Sequence, residues 1–320
     1  MRQLLEQTVL LPCVFAVEYD TIPNINLYHL KKILFDYCIV CDTPDFSCAK
    51  MVLEYAKSGN TRTHQHAKEV IEKLRKQGRL LPLVYVSKTR PTKADCFLDK
   101  IALLQGSNDC DVFSNCLIPK CTKTGMTANN ANVHDMALLH KSNWLNKERN
   151  SVRLDRSIDH FTIALQLLLE SSKSVNFIDP YLDPSRHDYK EFYKIFSICN
   201  NNPNCSEINI HRVCYTDSGT QREVKDKAYW ESVFRKDLQK YNTNNKASVY
   251  IWPDFHDRYI LTNLMGFSLP YGISTTKDSS ELTGKTIWTK LSFNDNINLQ
   301  MVFNESKLKN NNTNSYKFQL

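Results

Sequence analysis

The sequence predicts an α/β protein of two domains. Three observations carry this. In both halves of the chain, short apolar runs alternate with stretches whose apolar residues recur every three or four positions. The length of 320 residues exceeds what one ordinary core organises. Between the halves, a stretch rich in Gly, Asn, Asp, Thr and Cys from Gly106 to Val133 is followed by the polar segment Asn143 to Arg153. The expected domains are therefore residues 1–148, an α/β domain of no recognised family, and residues 149–320.

In the first domain, Val9 to Val17 reads as a buried strand, with Pro12 near its start. The mostly apolar run from Ile33 to Cys41 reads as a second strand, ended by the turn Asp42-Thr43-Pro44-Asp45. Phe46, Ala49, Leu53 and Ala56 recur at helical spacing, with Asp45 placed to cap them. Ala67, Val70, Ile71 and Leu74 form the stripe of a second helix. Its opposite face carries Lys68–Glu72, Glu69–Lys73 and Glu72–Lys76 pairs, and Gly78 stops it. Leu81 to Val86 reads as a strand, and Gly106 to Val133 as long loops.

The second domain is more regular. Ile158, Phe161, Leu165, Leu168 and Leu169 mark an amphipathic helix capped by Asp155 or Ser157. Ser174 to Ile178 is a strand that runs into Asp179-Pro180-Tyr181-Leu182-Asp183-Pro184. Tyr189, Phe192, Tyr193 and Phe196 mark a helix, and Ile208, Ile210 and Arg212 a strand. Trp230, Val233, Phe234, Leu238 and Tyr241 mark a third helix, and Ala247 to Trp252 and Tyr259 to Thr262 two further strands. The Asn-rich tail from Asn304 to Asn314 reads as mobile, with Tyr316 to Leu320 able to dock.

Composition narrows the function. Only 8 glycines occur, and neither a dinucleotide fingerprint nor a P-loop is present. The net charge is +7, and the segment Lys50 to Lys100 alone holds 12 basic against 5 acidic side chains. That excess suits nucleic acid or anionic headgroups, and otherwise describes a solvated helix face. The 11 cysteines show no disulfide spacing, and Cys38-x-x-Cys41 has no second pair at zinc spacing. They read as reduced, buried thiols of a cytoplasmic protein. The run Val9 to Val17 is too short to span a bilayer, and no other segment is apolar enough.

The chemistry concentrates in Trp252-Pro253-Asp254-Phe255-His256-Asp257-Arg258, which leads into a strand ending near Asn263. His256 and Arg258 lie two residues apart, so an extended chain sends both from one face. A guanidinium can bind two phosphate oxygens, an imidazole can attack or protonate, and an amide can orient either. In α/β sheets ligands gather beyond the C-terminal ends of parallel strands. That rule adds Asp179 and Tyr181, and also the small and hydroxyl-bearing Gly272, Ser274 and Thr276 as phosphate-binding candidates. His187 and His211 read as surface or helix-start residues.

His256-x-Arg258-x4-Asn263 resembles the H-x-K-x4-D motif of the phospholipase D superfamily, with arginine for lysine and asparagine for aspartate. The resemblance implies a mixed sheet flanked by helices in the C-terminal half. It implies a metal-independent phosphodiesterase without cofactor, with His256 as nucleophile and Arg258 and Asn263 beside it. The single motif implies a homodimer through the C-terminal domain, in which the second histidine comes from another copy. Nucleic acid is the expected partner, which makes a nuclease, and a bacterial defence or toxin-like effector suits the layout. One alternative is a degenerate site that binds phosphate or nucleic acid, or serves assembly, without turnover. Another is a Mg²⁺- or Mn²⁺-dependent nuclease that looks like a PIN domain, built in the first half on Asp42, Glu69, Asp95 and Asp111.

Overall fold

The computed structural model describes residues 4–10, 24–42, 46–57, 61–82, 115–118, 133–135, 150–216, 222–244, 246–308 and 314–320. The chain divides into two compact units, Leu5–Glu148 and Met1–Leu4 with Arg149–Leu320. The architecture is mixed α/β, as the alternation of apolar runs and helical stripes predicts.

The N-terminal unit contains β1 (Glu6–Leu10), α1 (Asn24–Tyr37), β2 (Cys38–Asp42), α2 (Ser47–Lys57), α3 (Thr61–Lys76), β3 (Leu80–Pro82), β4 (Asn115–Ile118) and β5 (Val133–Asp135). The sheet order is β3-β2-β1-β4-β5, and every neighbouring pair is parallel. Such sheets carry helices on their faces, which is why all residues of β2 are buried. The strand expected over Ile33–Cys41 is corrected: it starts only at Cys38. Leu30, Ile33, Leu34 and Tyr37 are all buried at helical spacing, so the first part of that run is the end of α1. Two short strands, β4 and β5, fall in or beside the interval expected as loops. Gly78 has a φ of 68° and ends α3, with Arg79 donating to the Leu74 carbonyl and Gly78 to that of Arg75. Asp45 and the continuations of the strands expected at Val9–Val17 and Leu81–Val86 lie outside the described residues.

The C-terminal unit contains β6 (Ser151–Asp155), α4 (Ile158–Ser171), β7 (Ser174–Ile178), α5 (Phe192–Asn201), β8 (Glu207–Val213), β9 (Tyr215–Thr216), β10 (Glu223–Val224), α6 (Lys227–Leu238), β11 (Ala247–Trp252), β12 (Tyr259–Thr262), β13 (Gly266–Ser268), β14 (Lys285–Lys290), α7 (Phe293–Val302) and β15 (Tyr316–Gln319). Eight of these strands form one sheet in the order β15-β11-β8-β7-β12-β13-β14-β6. Its centre, β11-β8-β7, is parallel, and the remaining pairings are antiparallel. Ser157 caps α4 by accepting from the His160 amide, Asp226 caps α6 through Tyr229, and Ser292 caps α7 through Asp295. Tyr316–Gln319 docks as an edge strand on β11.

The period of two along the central strands splits the core. Val175, Phe177, Ile208, Ile210, Val249 and Ile251 are buried on one face, where Phe177 meets Phe192 of α5 edge-on at 5.1 Å. The other face is polar and internally hydrogen-bonded. The Asn209 amide donates to Asn176 Oδ1 at 3.1 Å, and Trp252 Nε1 donates to His211 Nδ1 at 3.1 Å. With Nδ1 accepting, the neutral His211 ring carries its proton on Nε2, 3.3 Å from Asn176 Oδ1. Burial alone pushes the His211 pKa down to about 3. His211 is thus a core residue stacked on Tyr250 and met edge-on by Phe303, which corrects its reading as a surface position.

Candidate active site

The three parallel strands β7, β8 and β11 end at one edge of the sheet. They deliver Asp179, Tyr215 and Asp254 there. Strand β12 is antiparallel to β7, with Tyr259 opposite Ile178, so the chain enters it from that same edge. His256 and Arg258 therefore arrive beside Asp179 rather than across the sheet from it.

Arg258 is held in a clamp. Its Nε lies 3.6 Å from Asp179 Oδ1, its Nη1 donates to the Pro270 carbonyl at 2.9 Å, and its guanidinium sits 5.2 Å from the centre of the Tyr181 ring. Nη2 has no partner among the described residues, and the side chain keeps 24% exposure. Asp179 is buried, and it accepts from the Tyr181 amide at 3.0 Å and from the Tyr189 hydroxyl at 2.9 Å. Burial raises its pKa, opposed by the Tyr181 amide, the Arg258 charge, the Tyr189 hydroxyl and the Ile273 amide. Gly272 closes the clamp with a φ of 61°. A Cβ there would stand 1.9 Å from Asp179 Oδ2 and 3.0 Å from Arg258 Cδ.

His256 forms the second half. Its side chain is 66% exposed, and Nε2 lies 3.9 Å from Asp254 Oδ2. Asp254 is fixed by the Tyr215 hydroxyl, which donates at 2.5 Å, and by Arg222 Nη1 at 3.5 Å. Arg222 also lies over the Tyr215 ring at 4.4 Å. Burial, then the Asp254 carboxylate, push the Tyr215 phenol above its usual range.

Beneath the edge lies the buried Arg212. It donates to the carbonyls of Val213, Leu182 and Tyr215 at 2.7, 3.3 and 2.7 Å, and its guanidinium stands 3.2 Å from the Trp230 ring centre. Burial lowers its pKa to about 10. This one side chain ties the turn after β7 to the end of β8, which fixes Tyr181 relative to Tyr215.

Asn263 does not join the site. It follows the last residue of β12, and its Oδ1 accepts from the amides of Lys173 and Ser174 at 2.7 and 3.4 Å, at the start of β7. Ser274 and Thr276 flank the clamp, but their groups serve the loop. Ser274 Oγ accepts from Arg156 Nη2 at 2.8 Å and donates to the Tyr271 carbonyl at 2.9 Å. The Thr276 amide donates to the Arg156 carbonyl, and its hydroxyl accepts from the Asp278 amide. His187 is exposed.

In the N-terminal unit, Asp42 is buried and accepts from the Ala49 amide at 2.9 Å, and Glu69 pairs with Lys31 at 2.6 Å. Asp95 and Asp111 lie outside the described residues. Among the described residues, no group of three or more His, Cys, Asp or Glu side chains is placed to hold a metal ion. Cys38 and Cys41 are buried thiols, and burial raises the Cys41 thiol to about 12. No helix among the described residues is long and apolar enough to cross a membrane.

Sequence reasoning missed Asp254, Tyr215, Arg222 and Tyr189. Asp254 was within reach, since it stands two residues before His256 and shares its strand-end segment. The others come from distant parts of the chain and are gathered only by the sheet.

No family model matches the chain, and no curated protein matches it. Among solved structures it is similar to TrmBL2, an archaeal chromatin protein whose structure shows a novel mode of DNA binding. The sequence identity is 12% and the TM-score 0.31. The likeness covers 53% of this chain and 53% of that one, so this chain matches about half of that protein's length. A likeness at this TM-score carries no inference of shared fold or ligand.

Proposed function

We propose that the C-terminal unit recognises a phosphodiester and cleaves it without a metal, with His256 as nucleophile. One observation supports this above the others. An exposed imidazole backed by a carboxylate, and a clamped guanidinium with Nη2 unpartnered, stand two residues apart at the C-terminal edge of the parallel strands. The phosphate oxygens lie against Arg258, whose orientation Asp179, Pro270 and Tyr181 set in advance. The imidazole of His256 attacks phosphorus, and one phosphorus–oxygen bond breaks. Water then releases the phosphorylated imidazole. Asp254, not Asn263, orients the ring, and Tyr215 and Arg222 fix Asp254.

The leaving oxygen needs a proton, and no other histidine contacts His256 among the described residues. The proposal therefore includes a homodimer in which the acid is the His256 of a second copy. The same observation favours a second reading, in which the site binds phosphate without turnover. Nucleic acid is the proposed partner, on the basic excess between Lys50 and Lys100.

Binding and turnover of a phosphodiester by the wild type and by His256→Ala separate these readings. Turnover lost with affinity kept supports the nucleophile. Affinity without turnover in both proteins supports the binding module. Chelator-sensitive turnover that ignores His256 moves the activity to the N-terminal unit.

A further inference from the structure

Three arginines at the strand-end edge each lie over a tyrosine. Arg258 is 5.2 Å from the ring centre of Tyr181, Arg222 is 4.4 Å from that of Tyr215, and Arg156 is 4.5 Å from that of Tyr271. Tyr215 is buried and Tyr181 half-buried, so their rings complete the clamp. Tyr271 differs. It is 43% exposed, and its hydroxyl has no partner among the described residues. It also sits beside the proposed phosphate grip in the chain. The carbonyl of the preceding Pro270 accepts from Arg258 Nη1 at 2.9 Å, and a Cβ on the following Gly272 would stand 3.0 Å from Arg258 Cδ. On its other flank Arg156 is itself anchored, with Nη1 on the Thr283 carbonyl at 3.0 Å and Nη2 on Ser274 Oγ at 2.8 Å.

An exposed aromatic ring that adjoins, in the chain, the carbonyl holding a phosphate-gripping guanidinium matches a ligand with a flat π-face next to a phosphate. A nucleobase has that face, and a lipid headgroup does not. In a duplex the base faces are already stacked on one another and are not offered to a side chain without unstacking. We infer that the site takes single-stranded nucleic acid, with one base stacked on Tyr271 while the adjoining phosphate lies on Arg258. This rests on the phosphodiester reading above and specifies its substrate.

The test is fluorescence anisotropy on the full chain carrying His256→Ala, which blocks turnover. The ligands are a labelled single strand of ~12 nucleotides, its duplex, a mononucleotide competitor, and phosphatidylcholine vesicles containing phosphatidic acid. The single strand is expected to bind at least about 10-fold more tightly than the duplex. Tyr271→Ala should weaken the single strand by roughly 5- to 150-fold, as loss of one stacked base does, and Tyr271→Phe should retain it. Arg258→Ala should weaken single strand and duplex alike.

Unchanged binding in a folded Tyr271→Ala protein, with loss in Arg258→Ala, overturns the stacking inference and leaves the phosphodiester reading standing. No change in either variant overturns both. Tighter binding to vesicles than to the strand overturns the substrate class, and full displacement by an equal concentration of mononucleotide overturns the requirement for a strand.

Discussion

Gly272→Ala is the change that strikes the clamp most directly. The position has a φ of 61°, where an L side chain costs about 1–2 kcal/mol. The added methyl would also stand 1.9 Å from Asp179 Oδ2 and 2.8 Å from Asp179 Cγ, so the carboxylate must move. It cannot move without stretching its bonds from the Tyr181 amide and the Tyr189 hydroxyl, at 3.0 and 2.9 Å. Loss of one hydrogen bond to a buried charge costs about 1.5–3 kcal/mol. The expected destabilisation is therefore about 2.5–5 kcal/mol, a large share of the ~5–15 kcal/mol that holds a domain together. Urea unfolding measures it, and titration with inorganic phosphate reports the displaced Arg258. In an Asp179→Ala background the clash is gone, and the Gly272→Ala penalty should fall to the backbone part of about 1–2 kcal/mol. Gly272→Ala with wild-type stability and phosphate affinity would refute the clamp, as would an equal penalty in both backgrounds.

Two further expectations follow from the geometry. Asp254→Asn should lower turnover by roughly 10²-fold or more. Asn263→Ala should leave turnover within about two-fold and cost about 1 kcal/mol in unfolding free energy, through loss of the bond to the Lys173 amide. Steady-state kinetics with the opposite ranking would return the orienting role to Asn263. For His211, burial holds the folded pKa at about 3 against an ordinary 6.5, so the unfolded chain binds the extra proton between those values. Its contribution is fully present above about pH 6.5 and is lost as pH falls toward about pH 3, with an upper limit of about 5 kcal/mol. Melting temperature against pH checks this: His211→Gln should show a flatter profile than wild type across that window, and parallel profiles would contradict it.

The central strands and helices of the C-terminal unit were legible because burial of one stripe or face leaves a period. Phe161, Leu165 and Leu168 of α4, and Val175 and Phe177 of β7, are fully buried where their spacing places them. The stretch Lys285–Val302 was not legible, because its apolar residues do not mark its buried face. In β14 the apolar Ile287 is exposed while Thr286 and Trp288 are buried, and α7 buries only Asn296. Ile33 to Tyr37 misled for the opposite reason: a run apolar at all but Asp36 shows little period to read, and the helix claimed it.

At the site, the motif stretch located His256 and Arg258, and the strand-end rule located Asp179 and Tyr181. Strand arithmetic alone removes Asn263 from their company. Five residues of extended chain cover about 17 Å, so positions 258 and 263 stand at opposite ends of a strand. The carboxylate beside the imidazole, Asp254, stood in the same stretch but drew no role of its own, because its partners Tyr215 and Arg222 are brought near only by the fold, with β8 and β11 pairing in parallel.

Turnover of a generic phosphodiester by the full chain, with and without EDTA and with and without His256→Ala, tests the central claim most directly. Hydrolysis is expected to survive the chelator and to disappear in a folded His256→Ala protein. Hydrolysis that EDTA abolishes, or that persists without the imidazole, would contradict it.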